Sequence, residues 1–133
     1  MPVFAYEMAL RWGKSAAGRG YPPVYGYMFD RALPGGDYKA WHACDLWYMF
    51  GNMDRSWRPF TDEDRALSQE MIAHTAQFVK TGDPNGGGLP EWRPIARGNC
   101  PFRRFDTRPP FSLLPSGCRA KALRTALFEK GPM

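Results

Sequence analysis

No apolar run in this 133-residue chain approaches the roughly 18 residues that a bilayer-crossing helix needs, so no membrane association is expected. Nor does the amino terminus carry a charged start followed by an apolar core, the pattern of a secretory signal. The expected compartment is therefore the cytoplasm. Cysteine is scarce. The three residues Cys44, Cys100 and Cys118 form an odd set without regular spacing or a C-x-x-C pair, which argues against a disulfide framework and against a zinc site. No cofactor and no metal are expected. The charge excess is modest, +5 from 18 Lys and Arg against 13 Asp and Glu, and the basic residues are scattered. Their densest group is Arg103, Arg104 and Arg108, no base-reading motif accompanies it, and nucleic acid is not an expected partner. These arginines read as a solvated or subunit-facing surface.

Glycine and proline are plentiful instead. The 14 Gly and 13 Pro make up about a fifth of the chain, against the roughly 12 % of ordinary proteins. With a hydrophobic share of 44 % and aromatics at 15 %, the chain has much apolar surface to hide and few long regular elements to hide it with. That combination fits a loop-rich portion of a larger body. No internal repeat and no linker separates a second domain.

Along the chain, Phe4, Met8, Ala9 and Trp12 recur at helical spacing before Gly13, Gly18 and Gly20 interrupt them. Val24 to Phe29 is rich in β-branched and aromatic residues and bounded by turn signals, which predicts a buried strand. Gly26 in its middle suggests the close passage of another backbone. Leu33 to Asp37 is a loop by composition. Asp45 is placed to cap a short helix over Leu46 to Phe50, which Gly51-Asn52 would end.

A long helix is predicted from Asp62 to Thr81, with Thr61 as N-cap, Asp62, Glu63 and Asp64 in the first turn, and Gly82 as the stop. Leu67, Met71, Thr75 and Phe78 form its expected packing stripe, widened by Ile72 and Val79. Asp83 to Gly88 is a long turn, Phe102 to Asp106 an exposed edge strand, and Arg119 to Lys130 a basic helix. The tail after Pro110 matches no pattern we can name.

A nucleophile is hard to find. The nearest approach to the G-x-S-x-G elbow is Gly13-Lys14-Ser15-Ala16-Ala17-Gly18, whose second glycine comes one residue late. The elbow needs a strand-to-helix turn to expose its serine, and Ser15 follows a helical pattern instead. Cys44 in an apolar setting reads as an inert packed thiol. Of the two histidines, His74 sits within the long helix and is expected on or near its surface. His42 follows a hydrophobic strand on a loop, and composition alone makes it a packed loop histidine.

Several motifs in order alter that reading. Val24-Tyr25-Gly26-Tyr27-Met28-Phe29-Asp30, Trp41-His42-Ala43-Cys44-Asp45-Leu46, Tyr48-Met49-Phe50-Gly51, Trp57-Arg58-Pro59-Phe60-Thr61, Phe78-Val79-Lys80-Thr81-Gly82-Asp83-Pro84-Asn85 and Leu89-Pro90-Glu91-Trp92 stand in sequence. Over roughly Phe4 to Asp106 the chain resembles the carboxyl-terminal part of carboxylesterases of type B, the cholinesterase-like and para-nitrobenzyl esterase-like α/β-hydrolases.

The resemblance implies an α/β fold that is incomplete as a domain. Residues 1–133 would form the carboxyl-terminal part of a carboxylesterase type B domain, ordered as strand, catalytic-histidine loop, long helix and edge strand. It makes His42 the general base of a Ser-Glu/Asp-His triad that cleaves carboxylic esters. The family's serine, acid and oxyanion loop would then lie upstream, because the triad follows the chain order Ser, acid, His. Two departures stand out: Ala43 where Gly is common after the histidine, and Asp45 where Glu is usual.

Asp45 is not thereby the triad acid, since the family's acid comes from a different loop. Trp41 and Trp47 are expected either to wall a substrate pocket or simply to pack. The expected partners are an ester substrate in the complete enzyme and the missing amino-terminal part of the hydrolase domain, with self-association of the chain alone. The rival reading is a non-catalytic remnant or binding fragment.

Overall fold

The structure, a computed structural model, describes residues 11–13, 15–16, 18–95 and 102–107. Its elements are β1 (Gly26–Phe29), α1 (Leu46–Met49), a 3-10 turn (Met53–Arg55), α2 (Asp62–Thr81) and β2 (Phe102–Phe105). Residues 11–13 and 15–16 are helical. Phe4, Met8, Ala9, Cys100, Arg108, Cys118 and the basic segment from Arg119 to Lys130 lie outside the described residues.

α2 spans the expected residues, and its caps explain why. Thr61 is extended and accepts from the Asp64 amide at 3.3 Å, while the Asp64 carboxylate accepts from the Thr61 amide at 2.9 Å. This reciprocal capping box satisfies two amide donors at once. At the other end Gly82 adopts φ 76° and donates to the Phe78 carbonyl at 2.7 Å. A left-handed residue costs least as glycine, so the helix stops there.

The buried face of α2 differs from the expected stripe. Asp64, Leu67, Ser68, Met71 and His74 are buried, whereas Ile72, Phe78 and Val79 are exposed. Leu67 and Met71 of the expected stripe are buried; its other members give way because polar side chains with partners line the inner side. Ser68 donates to the Tyr48 carbonyl at 2.7 Å, which ties α2 to α1. His74, expected near the surface, is fully buried; its Nδ1–H donates to the Pro84 carbonyl at 2.8 Å. That bond joins the helix to the turn that follows it.

The described residues fall into two compact units, one of residues 11–13, 15–16, 18–26, 93–95 and 102–103, the other of residues 27–92 and 104–107. In the first, the Ile95 amide donates to the Val24 carbonyl at 2.8 Å, and a Cβ at Gly13 would lie 2.5 Å from the Ile95 side chain. Gly26 is constrained too: it opens β1, whose neighbour β2 passes alongside, and the nearest group over it is a side chain. A Cβ there would meet the Phe102 ring at 2.8 Å.

In the second unit, Tyr27, His74, Trp92 and Phe105 stack edge to face, with ring centroids 5.4 to 6.1 Å apart. Asn85 ties the turn after α2 to Trp92. Its carbonyl oxygen accepts from the Trp92 amide at 2.6 Å, and its amide donates to the Trp92 carbonyl at 2.9 Å.

β1 and β2 are hydrogen-bonded neighbours. β1 begins two residues later than expected, and Gly26 is its buried residue while the rest are half-buried. β2 forms where expected, but Phe102 and Phe105 are buried and its arginines half-buried. Arg104 pairs with Asp30 and with Asp106, so it serves ion pairs within this unit rather than a solvated face. Among the described residues, no helix is long and apolar enough to cross a membrane.

Candidate catalytic-histidine turn

His42 sits on an exposed turn between two firmly held neighbours. The Trp41 carbonyl accepts from the Cys44 amide at 3.2 Å, and the Ala43 carbonyl accepts from the Leu46 amide at 3.2 Å. These bonds wrap residues 41–46 tightly, and Ala43 is forced to φ 64°. A Cβ in that region crowds the following carbonyl, which glycine avoids. The turn geometry is thus a physical reason for glycine after such a histidine, and Ala43 bears strain in its place.

Cys44 points inward and is 2 % exposed, which pins the far side of the turn. Burial pushes its thiol pKa above the ordinary value, the setting of a packed thiol rather than a nucleophile. The Asp45 carbonyl starts α1 by accepting from the Tyr48 and Met49 amides at 3.0 and 2.8 Å. Its carboxylate makes no cap bond; it accepts from the Tyr27 hydroxyl at 2.8 Å. Burial, together with that hydrogen bond and the nearby negative charge, pushes the Tyr27 pKa up to about 12. Tyr27 therefore stays protonated and donating through the neutral range.

The Asp45 carboxylate is engaged on β1, and no hydrogen bond or ion pair joins the His42 imidazole to another described residue. Ser15, helical and exposed, sits in no strand-to-helix elbow. Among the described residues, no group of three or more metal-ligating side chains gathers. Trp41 is 40 % exposed, and Trp47 is half-buried.

Arg31, α1 and the start of α2 share a buried polar network that reasoning from sequence missed. The fully buried Asp64 carboxylate accepts from Arg31 Nε at 2.7 Å, Arg31 Nη2 at 3.2 Å and the Tyr48 hydroxyl at 2.7 Å, besides the Thr61 groups. Burial alone would raise its pKa. The hydrogen bonds from Arg31, the Thr61 amide and Tyr48, with the Arg31 charge, outweigh burial and hold it below the ordinary aspartate value. Burial and the same carboxylate keep Tyr48 protonated, its pKa raised. The Thr61-x-x-Asp64 spacing was legible as a cap; its pairing with Arg31, 33 residues away, had no local signal.

The family model described as "Carboxylesterase family" matches residues 3–118. The chain belongs to the carboxylesterase family. Among curated relatives, it is 30 % identical to chicken (Gallus gallus) acetylcholinesterase over 80 % of this chain and 13 % of that protein. It is 31 % identical to human (Homo sapiens) bile salt-activated lipase over 76 % of this chain and 14 % of that one. Among solved structures, it is similar to an esterase from anaerobic Clostridium hathewayi that can hydrolyze aliphatic aromatic polyesters. The TM-score is 0.66 and the identity 28 %, over 77 % of this chain and 20 % of that one. A PNB esterase gives a TM-score of 0.63 and 28 % identity, over 77 % and 21 %. The chain thus spans between an eighth and about a fifth of the length of these relatives. Its fold is part of the α/β-hydrolase fold of such esterases.

Proposed function

We propose that this chain is the carboxyl-terminal part of a cytoplasmic serine carboxylic-ester hydrolase and that His42 is the general base of its Ser-acid-His triad. The observation that carries this reading is the His42 turn. An exposed imidazole stands on a backbone closed by the Trp41–Cys44 hydrogen bond and fixed by the buried Cys44, in a chain of the carboxylesterase family. In the reaction, the imidazole takes the serine proton as the oxygen attacks the ester carbonyl, then passes it to the departing alcohol. Imidazole can both accept and release a proton, which suits both transfers. The partners are the ester and the segment that bears serine, acid and oxyanion hole.

The test joins this chain to the serine-bearing segment of a family esterase and compares His42 with His42→Ala. Turnover should fall by about three orders of magnitude or more, as for other triad deletions, with the fold retained. Near-normal turnover would overturn the assignment. The chain by itself has no G-x-S-x-G sequence and is proposed to be inactive.

A further inference from the structure

Arg58 connects three parts of the chain that local sequence does not relate. Its guanidinium carbon lies 4.9 Å from the centre of the Trp41 ring and 4.8 Å from that of the Trp57 ring. Its Nη1 donates to the Pro34 carbonyl at 2.8 Å. Trp57 in turn covers Gly35, where an added Cβ would meet the indole at 3.1 Å and the Pro59 ring at 3.1 Å. Tyr38 stacks edge-on against Trp41, with centroids 6.5 Å apart.

The loop that leads to His42 is therefore held at both ends, Pro34 and Trp41, by one side chain. The planar guanidinium is suited to this because it stacks on aromatic faces and donates in its own plane at the same time. Trp41 is adjacent to His42 and supplies the carbonyl that closes the turn, so fixing the indole fixes the first residue of that turn.

We propose that Arg58 is a positioning residue that clamps Trp41 and thereby sets the placement of the His42 imidazole; its catalytic part rests on His42 being the general base. The clamp is half-buried and partly open to solvent, so it acts on geometry and adds little to the core. Its loss loosens the approach to His42 while Cys44 and α1 hold the far side. In a reaction that depends on near-contact geometry, a misplacement of about 1 Å costs on the order of 100-fold in rate.

Two measurements separate the clamp from the chemistry. In the 133-residue chain, side-chain NMR relaxation of the Trp41 indole and the His42 ring is compared between the native protein, Arg58→Met and Arg58→Lys. Both signals should become mobile in Arg58→Met, with Tyr48 and the α2 amides unchanged. Arg58→Lys, which keeps charge and a donor but no stacking plane, should restore them only in part. Unchanged Trp41 and His42 signals overturn the proposal. So does loss of the Tyr48 and α2 signals with them, which would make Arg58 a general structural residue. In the joined esterase, Arg58→Met should lower kcat about 10- to 100-fold with KM nearly unchanged. An unaltered kcat there overturns the catalytic part. Should His42→Ala keep turnover, the general-base reading fails while the NMR result on the clamp still stands.

Discussion

Replacing Asp64 with Ala removes one carboxylate on which three elements depend. Tyr48, with no exposed surface, loses the acceptor of its hydroxyl proton, a loss of about 1–3 kcal/mol. The Thr61 amide loses its reciprocal cap acceptor, worth about 1 kcal/mol. Arg31 loses its partner, but its side chain is 22 % exposed and regains some hydration, so the upper range for breaking a buried pair does not apply. These contributions share one group and do not add in full. Together they give about 2–4 kcal/mol, or a melting-temperature drop of roughly 6–15 °C for a chain of this size. Thermal unfolding followed by circular dichroism, at concentrations where the chain is monomeric, measures it. The sign of the pH dependence follows from the depressed Asp64 pKa. Its stabilisation is present above the ordinary value near 3.8 and is lost as pH falls through the lower folded value. Asp64→Asn should flatten that acid limb. A loss within about 0.5 kcal/mol, the range of surface substitutions, would refute the network as a stabilising unit.

Ala43→Gly should relieve the left-handed strain and, after glycine's own entropy cost, stabilise by about 0.5–1 kcal/mol in the same melts; a destabilised variant would contradict the turn geometry. His74→Ala should cost about 2–4 kcal/mol, because it empties a buried site and removes the bond to Pro84. A change of a few tenths would place His74 on the surface after all. The chain alone should release no nitrophenol from a short-chain nitrophenyl ester, and turnover abolished by a serine-directed organophosphate would disprove this. The exposed Trp12, Phe50, Trp57 and Val79 should drive self-association in sedimentation, whereas a compact monomer that binds no hydrophobic dye would oppose it.

What was legible in the sequence was what local chemistry decides. Thr61, the acidic first turn and Gly82 delimit α2 because caps and stops act within a few residues. Gly51 ends the segment after α1 with φ 61° for the same reason. Side-chain facing was less legible. The α2 periodicity favoured Phe78 and Val79, but the inner face is chosen by partners distant in sequence: Arg31 and Tyr48 for Asp64, the Tyr48 carbonyl for Ser68, Pro84 for His74. Asp45 shows the same limit. Its position suggested a helix cap, yet Tyr27, 18 residues earlier, takes its carboxylate. The His42 motif was visible as a string of residues; the Arg58 stack behind it was not, because Pro34, Trp41 and Trp57 meet only in the folded chain.

The Asn85 bridge to Trp92 carries a chemical liability. A primary amide is among the few side chains that can both donate to and accept from one backbone residue, in the manner of a neighbouring strand. Asn85 is followed by Gly86, so no side chain shields its amide carbon from the next backbone nitrogen. Deamidation there would replace the donor by a second anionic oxygen facing the Trp92 carbonyl, turning attraction into repulsion. Aged protein would then come apart first where the segment after α2 returns to Trp92, with the helix itself intact, and peptide mapping beside hydrogen exchange would show both changes at the same place.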